Sequence, residues 1–140
     1  MIVVRNSTIA NRYGIELSSS DINLIRDNHF STPVTGFAAY GAYAMRSKDN
    51  VFYLNYFKGS ASGAAVKSNN SSINAWVSPA SLTYEYKGGS YTGFMGNHYA
   101  EHNSQDNNGD GIADSNWVLP ADEPVATYPL IEALDQYLVQ

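Results

Sequence analysis

The sequence predicts an all-β chain: a right-handed parallel β-helix, a solenoid of about three coils, with a C-terminal β-hairpin and a calcium-loop cap. Three observations lead there. A short apolar pattern recurs at offsets of 21 and then 27 residues, from Ile2 to Asn23 to Asn50. Glycine and tyrosine, 11 of each, replace the usual helix formers, which favours strands joined by many turns. Tyrosines also alternate around a Gly-Gly pair, and an Asp/Asn/Gly string follows them.

The 140 residues give room for one domain. A formal charge of −5 argues against a nucleic-acid partner, because neutralising phosphates needs a basic face. No run approaches the length of apolar sequence that spans a bilayer, so no transmembrane segment is expected. Zero cysteine excludes disulfides, thiolate metal sites and a cysteine nucleophile. All eight Lys/Arg residues precede residue 88, whereas eight of the thirteen acids follow residue 100. An acidic block that carries Trp117, Val118, Leu119, Ile131 and Leu134 reads as one that folds around a cation. Met1 runs directly into Ile2-Val3-Val4 without a leader pattern, so either export is absent or the chain is an excised piece, and its start in mid-repeat favours the second.

The first elements are the repeat itself. Asn23-Leu24-Ile25-Arg26-Asp27-Asn28-His29-Phe30 aligns with Asn50-Val51-Phe52-Tyr53-Leu54-Asn55-Tyr56-Phe57, and the segment from Ile2 to Ile9 repeats the pattern with Ser7 in the Asn position. A second motif follows in register: Gly14-Ile15-Glu16-Leu17, Gly41-Ala42-Tyr43-Ala44 and Gly63-Ala64-Ala65-Val66. Short strands with polar corners at this period suit stacked coils hydrogen-bonded in parallel. The expected core columns are Val4/Ile25/Phe52, Ile9/Phe30/Phe57, Ile15/Ala42/Ala64 and Leu17/Ala44/Val66, with Ser7/Asn28/Asn55 as a polar ladder. Coils are expected over 1–78, and a cap over 79–140.

In the cap, Leu82–Tyr86 and Ser90–Phe94 flank Lys87-Gly88-Gly89 and predict a β-hairpin that covers the last coil. Pro129 followed by Leu130, Ile131, Leu134 and Leu138 predicts a short terminal helix. The first coil has no comparable cap. Its open edge is the expected contact for a second copy of the chain or a neighbouring surface-protein subunit.

The coil string NSTIANRYGIELSSSDINLIRDNHF resembles NosD-type parallel β-helix repeat proteins. The later segments NNSSINAW, TYEYKGGSYTGFMGNHY, DNNGDGIAD and YPL resemble the terminal region of β-helix surface proteins of methanogenic archaea. The chain departs from that pattern at His98-Tyr99, in the long corner from Phe37 to Tyr43, and after Leu130. The resemblance implies an extracellular, cell-surface structural role. The family's usual name implies copper, but the sequence shows no soft Met/His/Cys cluster for it.

The sharpest motif for chemistry is D-x-N-x-D-G-x-x-D over residues 106–114. Asp106, Asn108, Asp110, the Ile112 carbonyl and Asp114 have the spacing of hard oxygen ligands, so Ca²⁺ is the expected ion. Trp117 stands at position twelve in place of a bidentate acid, which leaves a ligand to come from water, Glu101, Asp122 or Glu123. His98 and His102 bracket Glu101 as H-x-x-E-H, but the flanking Gly and Asn residues disfavour the helix a zinc peptidase needs. His29 should point outward from its strand. Glu16, Asp27 and Asp49 lie in different columns and form no stacked acid pair for sugar hydrolysis. The Ser18-Ser19-Ser20 run reads as a polar corner. Sequons at Asn6, Asn69 and Asn70 would permit glycosylation. The tyrosines, above all Tyr53 and Tyr56, form either a sugar-stacking strip or internal packing. Together these features predict a non-enzymatic, calcium-stabilised, self-assembling surface module of a coat or sheath. The alternative is a carbohydrate-binding or carbohydrate-processing domain that contacts polysaccharide.

Overall fold

The computed structural model describes residues 3–4, 8–9, 13–31, 40–58, 66–69, 74–118 and 125–140. The chain first lays down β1 (Val3–Val4), β2 (Thr8–Ile9) and β3 (Tyr13–Ser18). It then makes β4 (Leu24–Arg26), β5 (His29–Ser31) and β6 (Tyr40–Met45), followed by β7 (Val51–Tyr53), β8 (Tyr56–Lys58) and β9 (Val66–Asn69). Each of the first six pairs in parallel with the strand three places later, giving sheets β1-β4-β7, β2-β5-β8 and β3-β6-β9. A parallel pair cannot be closed by a tight turn, and here the crossover runs through the other two sheets. The remaining strands are β10 (Leu82–Tyr86), β11 (Gly89–Gly93), β12 (His98–Tyr99), β13 (Trp117–Val118), β14 (Val125–Ala126) and β15 (Tyr137–Val139).

In the first two sheets the register is the one the repeat predicts: Val4↔Ile25↔Phe52 and Ile9↔Phe30↔Phe57. The third sheet departs from expectation. Ala42 pairs with Val66 rather than Ala64, and Ala44 pairs with Ser68 rather than Val66. A slip of two residues keeps every side chain on its face, so an alternating pattern cannot distinguish the two registers. Ser7 and Ala64 lie outside the described residues.

The core between the parallel sheets is a set of stacked rings. Phe30 lies 5.3 Å from Phe57, and Phe57 lies 5.8 Å from Tyr99. Phe52 stacks on Trp76 at 4.3 Å. Ile25, Ala42, Ala44 and Ala126 fill the space around them. Burying each ring contributes roughly 1.5–3 kcal/mol, with a further increment from ring–ring geometry. Gly14 is glycine for a packing reason, since a Cβ there would collide with the Gly41 carbonyl oxygen and the Phe30 Cβ.

Two of the corner columns are built by one device. Ile22 and Asp49, and likewise Asp27 and Leu54, have left-handed backbone, with φ of 58°, 58°, 60° and 54°. Each is followed by an asparagine whose side chain turns inward. In the first ladder the Asn23 Nδ2 donates to Asn50 Oδ1, and the Asn50 Nδ2 donates to Asn74 Oδ1. In the second, Asn28 donates to Asn55 and Asn55 to Asn97 in the same way, at 3.1 and 2.9 Å. The backbone N–H of Asn23, Asn28, Asn50 and Asn55 donates to the same oxygens. These buried amides are therefore satisfied by their own counterparts one layer away, which is what their desolvation requires.

The expected boundary at residue 78 does not separate coils from cap. Phe52 N–H donates to Ala75 O and Leu54 N–H donates to Gly96 O, so a fourth layer begins with residues 74–76 and resumes with 96–99. β12 pairs in parallel with β8. The chain leaves this layer at Ser78 and returns at Met95, where Ser78 N–H donates to Met95 O at 2.8 Å. The β10–β11 hairpin is thus an insertion within a layer. Its turn is Lys87-Gly88, with φ of 47° and 84°, the mirror-image geometry that suits the twist of paired strands.

The expected terminal helix is only a 3-10 turn, Leu134–Gln136, followed by β15, which pairs antiparallel with β10. Tyr137 is buried and Leu138 is 63 % exposed, so the segment alternates as a strand does. Pairing with β10 satisfies this backbone in a way that one isolated turn of helix could not.

Candidate functional site: the acidic loop and the aromatic faces

Residues 106–114 fold onto their own backbone. Asp106 Oδ1 accepts from the N–H of Gly109 and Asp110, at 2.8 and 3.1 Å, and Oδ2 accepts from Gly111 N–H at 2.8 Å. Asp110 Oδ1 accepts from Ile112 N–H, and its Oδ2 accepts from the Asn108 side chain. Asp114 Oδ2 is engaged by the N–H and side-chain amide of Asn107. Gly109 and Gly111, at φ of 75° and 84°, permit the tight return. This is a nest of Asx turns.

The Ca²⁺ expectation for Asp106, Asn108, Asp110, Ile112 and Asp114 is therefore corrected. Among the described residues no group of three or more His, Asp or Glu side chains gathers to hold a metal ion. The carboxylates that the spacing suggested as ligands are instead partnered by amides of the same loop.

The loop is held to the rest of the molecule by backbone and tyrosine hydroxyls. Tyr84 donates to Asp110 O at 3.0 Å, and Tyr137 donates to Gly111 O at 2.6 Å. Ala113 N–H donates to Pro129 O, and Ile131 N–H to Gly111 O. Leu130 N–H in turn donates to Asn97 O, which joins the loop to the last layer. Burial raises the phenol pKa of both Tyr84 and Tyr137, so the hydroxyls remain donors across the ordinary range.

Tyr53 and Tyr56, the expected sugar-stacking residues, have different surroundings. Tyr53 is 6 % exposed, and its hydroxyl accepts from Arg26 Nη1 at 3.2 Å. Tyr56 lies on the outer face of β8 between His29, at 4.2 Å, and His98, at 5.3 Å, all three nearly parallel. Both faces of Tyr56 are covered by imidazole rings. Tyr56 therefore offers solvent its ring edge rather than a face.

The Tyr56 ring separates His29 from His98, whereas His98 and His102 are close enough for the charge of one to act on the other. His98 Nδ1 lies 3.0 Å from Leu130 O, and His102 stacks on Trp117 at 5.1 Å. Burial lowers the pKa of both, and His102 is lowered further by the charge of His98. Lys87 pairs with Glu132 at 2.6 Å, and Tyr86 donates to the same carboxylate oxygen at 3.1 Å. A cleft of about 290 Å³ lies beside this pair, between the hairpin turn and residues 135–138.

Sequence reasoning missed one feature. Phe94 and Tyr128, which come from separate segments, lie together at 5.7 Å on the surface. Neither local sequence contains a periodic signal that would join them.

Comparison with known proteins now gives the class. The profile of the family described as periplasmic copper-binding protein (NosD) matches residues 1–104. The chain belongs to this family. No curated protein and no solved structure matches it. The copper in the family's description does not fit the donors found here. The chain has no cysteine, Met95 is fully buried beneath the hairpin, and the imidazoles of His29 and His98 are separated by the ring of Tyr56. Among the described residues no helix is long and apolar enough to cross a membrane.

Proposed function

We propose that the chain is a non-enzymatic structural module of an exported surface protein, a right-handed parallel β-helix whose layers stack with those of a neighbour. One observation carries this reading. From the second layer on, each layer is bonded to the next through paired asparagines, and the strands of all the layers stack in parallel register. β1, β2 and β3 each have a free side with no partner strand among the described residues. An open parallel edge is a template for another layer, supplied by a second copy or by a neighbouring subunit of a coat or sheath. That role implies a cell-surface location; the periplasmic description of the family supports the coarser reading that the protein is exported.

Light scattering and negative-stain microscopy across a concentration series test the reading. Concentration-dependent association to at least a dimer through this edge is expected. A 15.3 kDa monomer at every concentration would overturn self-assembly.

A further inference from the structure

Four large apolar side chains are exposed among the described residues, and only two of them, Phe94 and Tyr128, touch each other. Their exposures are 42 % and 46 %, and their planes are inclined by 35°. Unlike Tyr56, neither is sandwiched between other rings.

The mount beneath them is rigid. Tyr128 O accepts from Gly96 N–H at 2.8 Å, and the neighbouring Leu130 N–H donates to Asn97 O at 3.0 Å. Gly96 must be glycine, because a Cβ would collide with the carbonyl oxygens of Thr127 and Tyr128. Tyr128 itself has φ of 50°. It continues the corner column of Asp27, Leu54 and Gly96, in which each N–H donates to the next carbonyl. A left-handed corner disfavours a bulky residue. At Leu54 the penalty is offset by burial, since that side chain is 2 % exposed. Neither Tyr128 nor Ile22, at φ of 58° and 63 % exposed, has such burial, so the ring contact with Phe94 and not the corner alone singles out Tyr128.

We propose that Phe94 and Tyr128 form a stacking platform for the apolar face of a hexopyranose, and that this end of the molecule binds a neutral polysaccharide. This is independent of the assembly reading above. Two half-exposed rings offer no more than about 250 Å², whereas a stable protein partner needs about 800 Å² per side. A sugar ring matches the smaller area and stacks by its C–H face on an aromatic ring. Charge selects within the class. The last forty residues contain eight acids and no lysine or arginine, which disfavours an anionic glycan.

The test is electrophoresis in native gels that contain β-glucan, glucomannan or galactomannan, with alginate as the anionic comparison, alongside pull-down on insoluble chitin and cellulose. Retardation or capture by at least one neutral polymer and none by alginate is expected. Phe94→Ala and Tyr128→Gly should each weaken binding by at least about tenfold. Glycine adopts the corner conformation freely, so Tyr128→Gly should melt no lower than the parent and a folding defect cannot mimic the loss. Tyr56→Ala should bind as the parent does. Absence of binding to every neutral polymer, or binding that survives Tyr128→Gly, would overturn the proposal. So would a dimer that becomes a monomer on Tyr128→Gly, because a second copy would then occupy the platform.

Discussion

The stacked layers and the end formed by the hairpin and acidic loop solve the same problem by opposite means. In the layers, a buried polar group is satisfied by its own counterpart in the next layer, as Asn28, Asn55 and Asn97 show. At the end, each contact joins unlike groups far apart in sequence: Tyr84 to Asp110, Tyr86 to Glu132, Tyr137 to Gly111. The first arrangement is additive and extendable, because each layer depends on its nearest neighbours. The second is specific to its partners and does not propagate. One chain therefore holds both a repeating stack and an end that does not repeat.

The largest expected effect is in the layers. Phe57 touches Phe30, Phe52, Trp76 and Tyr99, so Phe57→Ala should destabilise by about 3–5 kcal/mol. Urea denaturation measures this. Asn55→Ala comes next, at roughly 2–4 kcal/mol, because it removes the acceptor of the Asn28 backbone N–H and the donor to the carbonyls of Ile25 and Tyr53. Asn74→Ala, at the end of its ladder, should cost less. Equal costs for these two would contradict a layered interior.

At the closed end, Tyr137→Phe removes the donor to Gly111 O and should cost about 1–2 kcal/mol. Hydrogen exchange should accelerate in residues 107–114 while protection of β4, β5, β7 and β8 is unchanged. If protection falls equally in both regions, they are not energetically distinct.

Acidification should give a smaller loss at the same end. The pKa values of His98 and His102 are lowered from 6.5 by burial. The unfolded chain therefore takes up protons first, so stability is intact above pH 6.5 and falls as pH drops from there through the folded-state values. Melting between pH 7.5 and 5 should lose less in a His98→Gln, His102→Gln double variant than in the parent. The smallest effect belongs to Lys87 and Glu132. The Glu132 hydrogen bond raises the lysine pKa, but the ammonium is exposed. Lys87→Met should leave the melting temperature almost unchanged, and added salt should erase most of any difference.

Much of the layered region was legible in residue order. Asn23 and Asn50, Ile25 and Phe52, Phe30 and Phe57 lie 27 residues apart, and each pair meets in space. The hairpin was also legible, because Lys87-Gly88 between alternating tyrosines satisfies a local turn geometry. The acidic loop was legible as a turn but not in its chemistry. Ligand spacing and Asx-turn spacing draw on the same Asp and Asn positions, and only the positions of Asp106, Asp110 and Asp114 show that amides are their partners.

By itself, residue order determined which side chains stack and which turn inward at corners, because parallel layers in register bring equivalent positions together and alternation sets the face. Tertiary structure alone decided that residues 74–76 and 96–99 complete one layer around an inserted hairpin, that the terminal segment is a strand, and that Phe94 meets Tyr128. Those contacts join unlike residues through long connections. Neither period nor local turn chemistry encodes them, and they form only when the closed end packs onto the last layer.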